Sequence, residues 1–228
     1  NPNSRATFKA HRVRNRAITD SHEPGSTLKP FVIAAALENK VLNPLSKINT
    51  SPGLLRIGNW KIGDGMDHGI ITVEQILEKS SNVGAAKISD RLTGDGVLSI
   101  LARFGFGEYT GAMLPGESIG YFPEQERLSS LKKRSLSFGY GISVTTAQLA
   151  RAYSVFANNG YLQDLKISKD LISREATQIV SKKTSNQILM MLRKAVLQGT
   201  GKLAQIDNFD VAGKTGTVRK ANAEGYSN

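Results

Sequence analysis

Pro30 stands directly before the longest apolar run of the chain, Phe31-Val32-Ile33-Ala34-Ala35-Ala36-Leu37. Proline has no N–H to donate and its ring clashes with the turn before it. It therefore fits a helix only in the first turn, where N–H groups lack intrahelical partners in any case. The run predicts a helix from about Ser26 to Asn39-Lys40, entered through the turn Glu23-Pro24-Gly25. That start puts Ser26 and Lys29 three apart on one helical face, within reach of each other. A hydroxyl beside a desolvated lysine of lowered pKa is a nucleophile with its own base, a chemistry that needs no histidine. The spacing alone does not single out Ser26, because Ser-x-x-Lys recurs as Ser129/Lys132 and Ser130/Lys133. The plain reading of any one match is a capping serine and a solvated lysine.

With 228 residues the chain can hold one good core, or one domain with a large insertion. At 39% hydrophobic and 21% charged residues it has the make-up of an ordinary globular protein. The absence of cysteine excludes disulfides and thiolate metal sites. The run 31–37 is too short to cross a bilayer and the N-terminus lacks a signal-peptide layout, so any membrane anchor is expected outside this chain. A formal net charge of +11 raises the question of nucleic acid. The basic residues are scattered, however, without the interleaved aromatics of a stacking platform, and nucleic-acid binding is not expected. The densest runs, Arg12-Val13-Arg14-Asn15-Arg16 and Lys132-Lys133-Arg134, fit a solvated face or a surface near anionic lipid or cell-wall polymer. His11, His22 and His68 have neither the spacing of a helical metal site nor a triad arrangement, so neither metal nor cofactor is expected.

Along the chain, residues 1–22 read as an extended or looping approach, and 41–69 as loops with a small hairpin through Leu54-Leu55-Arg56-Ile57 and Trp60-Lys61-Ile62. Thr72-Val73-Glu74-Gln75 has capping-box spacing and opens a helix to about Lys79. Ser80-Ser81-Asn82 interrupts it before further helices over 83–92 and 96–104. Residues 108–144 read as loop. A second box, Thr145-Thr146-Ala147-Gln148, starts a helix to Asn159, and a third, Thr184-Ser185-Asn186-Gln187, starts one over 187–198. Residues 209–217 read as a strand, the one convincing long-range strand of the chain. A lone strand cannot satisfy its own backbone groups, so the rest of its sheet is expected outside this segment.

Three short patterns then occur in order: Ser26-x-x-Lys29, Ser80-Ser81-Asn82, and Lys214-Thr215-Gly216 followed by Thr217. Together they are the active-site set of serine β-lactamases and penicillin-binding proteins. With Arg14-Asn15-Arg16-Ala17-Ile18-Thr19-Asp20, Glu23-Pro24-Gly25-Ser26-Thr27-Leu28-Lys29-Pro30 and Phe138-Gly139-Tyr140-Gly141-Ile142-Ser143-Val144-Thr145, the chain resembles the class B penicillin-binding proteins over nearly its whole length. The likeness is greatest to the transpeptidases of bacterial cell division. Ser81 stands where β-lactamases usually carry aspartate, which leans toward the transpeptidases.

The resemblance implies an α/β (α+β) transpeptidase fold: a mostly helical segment packed on an antiparallel sheet whose first and last strands lie outside 1–228. It implies one partial domain, with a helical subdomain over roughly 70–200 set between the Ser26 helix and the Lys214 strand. It also implies roles. Ser26 would be the nucleophile and Lys29 its base, Ser80 would pass a proton to the leaving amine, and Asn82 would hold Lys29 and the substrate amide. Lys214 would help keep Lys29 neutral and, with Thr215, Gly216 and Thr217, bind the substrate carboxylate. The reaction would be D,D-transpeptidation of peptidoglycan stem peptides at the septum, blocked by β-lactam antibiotics. It would run on the periplasmic face of the inner membrane, beside division proteins that include a glycan polymerase. A serine β-lactamase, whose deacylating carboxylate would have to come from Glu108, Glu117, Glu124 or Glu126, is the enzymatic alternative. A β-lactam sensor or an idle member of the fold is the non-enzymatic one.

Overall fold

The computed structural model describes residues 14–92, 96–124, 129–170, 174–217, 221–222 and 225–226. In chain order its helices are α1 (Arg16–Thr19), α2 (Lys29–Glu38), α3 (Val73–Lys79), α4 (Asn82–Ser89), α5 (Gly96–Arg103), α6 (Ser130–Leu136), α7 (Thr146–Ala157) and α8 (Lys182–Leu197). The strands are β1 (Ser21–His22), β2 (Lys47–Asn49), β3 (Leu54–Ile57), β4 (Trp60–Gly63), β5 (Ile70–Thr72), β6 (Val144–Thr145), β7 (Tyr161–Leu162), β8 (Thr177–Gln178), β9 (Ala221–Asn222) and β10 (Gly225–Tyr226). They pair antiparallel, two by two: β1 with β6, β2 with β5, β3 with β4, β7 with β8 and β9 with β10.

Helix α2 is the centre. Every residue from Lys29 to Leu37 is buried, as a helix apolar on all sides must be. It packs against α3, α4, α5 and α8. Phe31, fully buried, meets four rings: Phe104 at 4.8 Å, Tyr153 at 5.1 Å, Phe106 at 5.2 Å and Phe156 at 5.4 Å between centroids. Three of these contacts are edge-on, the arrangement ring quadrupoles favour. Ala34, Ala35 and Ala36, all fully buried, keep the rest of the helix slim.

The capping boxes at Thr72 and Thr145 form. The Gln75 N–H donates to Thr72 Oγ1 (3.2 Å) while the Thr72 N–H donates to Gln75 Oε1 (2.9 Å). Thr145 and Gln148 repeat the exchange at 3.1 and 2.9 Å. Three expectations need correction. The helix ahead of α2 is not α-helical from Ser26: Gly25–Leu28 form a 3₁₀ turn, and α2 begins at Lys29, with Pro30 at its second position. Helix α8 starts at Lys182, and its cap is Ser181, whose hydroxyl accepts from the Thr184 N–H; Glu38, from the end of α2, accepts from Ser181 and Thr184 and fixes that start. The stretch 108–144 holds a helix, α6, capped by Ser129. Ser129 caps Lys132 and Lys133 donates to the Leu92 carbonyl, so these other Ser-x-x-Lys matches have structural roles.

Phe31→Ala would remove the ring on which four others converge, so a loss of about 3–5 kcal/mol in denaturant-unfolding stability is expected.

Candidate active site

Ser26 lies in a turn fixed from several sides. Gly25 has φ +56°, a left-handed conformation that glycine adopts without penalty, and its N–H donates to the Gly139 carbonyl at 3.1 Å. Gly139 has φ +88°, and a Cβ there would stand 2.0 Å from the Gly25 carbonyl oxygen. The two backbones can touch only as glycines. The Gly141 N–H donates to the Glu23 carboxylate (2.9 Å), Thr27 Oγ1 donates to the Pro24 carbonyl (2.7 Å), and the Tyr153 hydroxyl donates to the Thr27 carbonyl (2.8 Å). Burial pushes the Tyr153 phenol well up, so it stays a donor. Ser26 is half-buried, and its hydroxyl takes no hydrogen-bond partner among the described residues.

Lys29 is fully buried, and its amine lies against two of the expected residues. It donates to the Ser80 carbonyl, to Ser80 Oγ at 3.2 Å and to Asn82 Oδ1 at 2.8 Å. Ser80 closes α3 in the left-handed region, φ +61°, which turns the chain toward Lys29. Ser81 caps α4, accepting from the Gly84 N–H at 2.8 Å. Asn82 Nδ2 is engaged by the Gly63 carbonyl (3.0 Å).

The segment 211–217 runs past the Ser26 turn. A Cβ on Gly216 would be 2.8 Å from Thr27 Cγ2 and 3.3 Å from the Pro24 carbonyl oxygen, so a larger residue there would have to displace the Thr27 methyl. Lys214 Nζ donates to the Thr215 carbonyl (3.0 Å) and lies 3.3 Å from Thr215 Oγ1, which meets Thr200 Oγ1 at 2.9 Å. The Gly213 N–H donates to the Leu192 carbonyl of α8. The expected strand over 209–217 does not form: these residues join no ladder among the described residues, where no strand lies alongside to take their N–H and C=O groups. Thr215, Gly216 and Thr217 are exposed.

Burial lowers the pKa of Lys29 well below the usual lysine value; the Lys214 charge lowers it further and Asp64 opposes. Burial brings Lys214 down to about 8. The arrangement sets a free hydroxyl one turn ahead of a poised amine with which it makes no hydrogen bond, and a second basic side chain bears on that amine. That can serve acyl transfer to an anionic substrate. Four contributors lay outside the expected set: Gly139, Glu23, Tyr153 and Asp64. Asp64 follows β4, and its carboxylate accepts from Ser81 Oγ (2.5 Å) and from the N–H groups of Asn82 and Val83. No local pattern marks it, since its partners lie 17 to 19 residues on. His22 is exposed on β1, and among the described residues no His, Asp and Glu side chains gather as a metal site requires.

The pH response follows from the two lysines. Unfolded, both titrate near 10.5; folded, Lys214 loses its proton near 8 and Lys29 well below 10.5. Above about pH 8 the unfolded chain therefore holds more protons, and stability rises with pH. Tyr153, raised from 10, works against this above pH 10. Urea unfolding between pH 8 and 10 should show the rise, and Lys214→Met should flatten it while moving the Lys29 titration upward.

Residues 1–228 match the family described as the penicillin binding protein transpeptidase domain. The chain is 38% identical over 228 residues to the probable peptidoglycan D,D-transpeptidase PbpC of Pseudomonas aeruginosa, covering all of this chain and 40% of that protein. It is 34% identical over 226 residues to the peptidoglycan D,D-transpeptidase FtsI of Escherichia coli, covering 99% of this chain and 38% of that one. It thus spans about two-fifths of the length of these relatives. Among solved structures, the transpeptidase domain of Burkholderia pseudomallei penicillin-binding protein 3 superposes with a TM-score of 0.89 at 32% identity, over 94% of this chain and 66% of that one. The helices and short antiparallel strand pairs of this chain therefore belong to the transpeptidase fold, of which the chain covers part.

Proposed function

This chain belongs to the penicillin binding protein transpeptidase family, and from that membership we propose that it carries the acyl-transfer site of a peptidoglycan D,D-transpeptidase of septal wall synthesis. The observation that bears most weight is the Lys29 amine, buried one helical turn from the Ser26 hydroxyl and held by Ser80 and Asn82.

In this reading Ser26 attacks the carbonyl of the penultimate D-alanine of a stem peptide, and Lys29, neutral at the outset, takes its proton. The backbone N–H groups of Ser26 and Thr217 receive the developing oxyanion, where one lost donor costs roughly 3 kcal/mol of barrier. Ser80, within 3.2 Å of Lys29, relays a proton to the departing D-alanine amine. Lys214, Thr215 and Thr217 hold the terminal carboxylate, and Gly216 lets their segment approach the nucleophile turn. An amine from a neighbouring stem peptide then attacks the acyl-enzyme, forms the cross-link and frees Ser26. A β-lactam enters as a mimic of the D-Ala-D-Ala end and acylates Ser26. The full protein is read as working on the periplasmic face of the inner membrane, tethered by an anchor and partnered by division proteins that include a glycan polymerase. Glu117, a carboxylate a β-lactamase could have used for deacylation, is occupied by the Thr110 N–H and hydroxyl.

Intact-mass spectrometry of the full-length protein after exposure to a penicillin tests this. A stable one-to-one adduct on wild type and none on Ser26→Ala is expected. Rapid penicillin hydrolysis without an adduct would replace this reading by a β-lactamase, and no adduct on a folded protein would remove it.

A further inference from the structure

Asp64 is half-buried beyond the end of β4, and it accepts three hydrogen bonds from three successive residues. Its Oδ2 takes the Ser81 hydroxyl at 2.5 Å, and its Oδ1 takes the N–H groups of Asn82 and Val83, the latter at 3.1 Å. Because the Ser81 proton is given to Asp64, the Ser81 oxygen is left to accept from the Gly84 N–H, which starts α4. The Asp64 N–H is bonded in turn to the Gly53 carbonyl at 2.9 Å, so the carboxylate is fixed to the β3–β4 hairpin. Its neighbour Gly63 accepts from Asn82 Nδ2. An Asn82 amide turned the other way would set two donors against the Lys29 amine and an oxygen against the Gly63 carbonyl. Residues 63 and 64 thus fix both the backbone and the side-chain sense of Asn82.

We propose that Asp64 is a positioning residue for the acylation step, acting through Ser81 and Asn82 to hold the acceptor that the Lys29 amine requires. This rests on the transpeptidase reading of Ser26 and Lys29. The carboxylate also contributes its charge. Among the described residues the charged groups bearing on Lys29 are Lys214, which disfavours the ammonium, and Asp64, which favours it. Asp64 therefore keeps the base from losing its proton too readily, while its hydrogen bonds keep that base in place.

Geometry and charge can be separated with two variants of the full-length protein. Asp64→Ala removes both, and a misplacement of this kind is expected to slow penicillin acylation by up to about 100-fold. Asp64→Asn keeps an oxygen for the two backbone N–H groups and removes the charge. It should acylate faster than Asp64→Ala, with the acidic limb of the rate–pH profile moved to lower pH. A ¹³C NMR titration of the Lys29 side chain should move the same way. A folded Asp64→Ala protein that acylates at the wild-type rate would overturn the proposal. So would an Asp64→Asn protein whose pH limb and Lys29 titration stay where wild type has them, because a merely structural residue would lower the rate without moving either. If Asp64→Ala does not fold, Asp64→Asn decides. If wild type forms no adduct, the transpeptidase reading fails, while the Lys29 titration in wild type and Asp64→Asn still decides the role of Asp64.

Discussion

A lysine amine with no exposure to water, at the first position of a helix apolar on every side, is the constraint from which the rest of this structure follows. An unpartnered ammonium cannot be sustained in such a place, so the group must either find oxygens or give up its proton. The fold answers both ways. The left-handed turn at Ser80 and the first residue of α4 bring a carbonyl, a hydroxyl and an amide oxygen to the amine. Burial and the nearby Lys214 then favour the neutral form. A left-handed non-glycine residue costs about 1–2 kcal/mol. That cost is offset by aiming two acceptors of a single residue at one buried group.

The site is assembled where segments touch more closely than side chains permit. Gly25 against Gly139 fixes the turn that carries Ser26, and Gly216 against Thr27 lets the Lys214 segment reach the same turn. Both contacts lie on the periphery of α2, whose aromatic environment around Phe31 holds the helix start still. Tyr153 links the two levels. Its ring packs on Phe31 in the core, and its hydroxyl holds the carbonyl of Thr27, next to Ser26. Core packing and site geometry are in that sense one set of contacts.

How much of this could be read beforehand depended on the range over which each signal acts. Pro30 placed the helix start to within a few residues, and the boxes at Thr72 and Thr145 placed two more, because a cap and its partner are only a turn apart. Residue types and order offer Ser26, Lys29, Ser80, Asn82 and Lys214 as a set, of which the structure brings Ser80 and Asn82 to the Lys29 amine. Helix α6 was hidden because Ser130-Leu131-Lys132-Lys133-Arg134-Ser135-Leu136 has too little apolar periodicity to declare itself. The start of α8 escapes local reading because Ser181 and Thr184 both offer a capping hydroxyl, and what selects between them is Glu38, 143 residues from Ser181. Asp64 was invisible for the same reason: its meaning lies in donors that only the fold brings to it.

The three acceptors around Lys29 bear on how one amine could serve as the proposed base and then as acid. An ammonium has three protons to give, and the Ser80 carbonyl, Ser80 Oγ and Asn82 Oδ1 can take all three. A neutral amine has two protons and a lone pair. The carbonyl and the amide oxygen can accept the two, and the Ser80 hydroxyl, free to rotate, can turn its own proton toward the nitrogen until the Ser26 hydroxyl displaces it from the lone pair. One rotating O–H therefore lets the same cage satisfy both charge states without moving a heavy atom. The Ser26 hydroxyl, with no partner among the described residues, is left available to whichever group approaches it. A cage that fits both states costs little reorganisation at the moment of proton transfer, which is what preorganised catalysis demands. On this view Ser80 matters as much for its hydroxyl's freedom to turn as for its position, and Asn82, clamped by Gly63 and Asp64, supplies the fixed reference against which it turns.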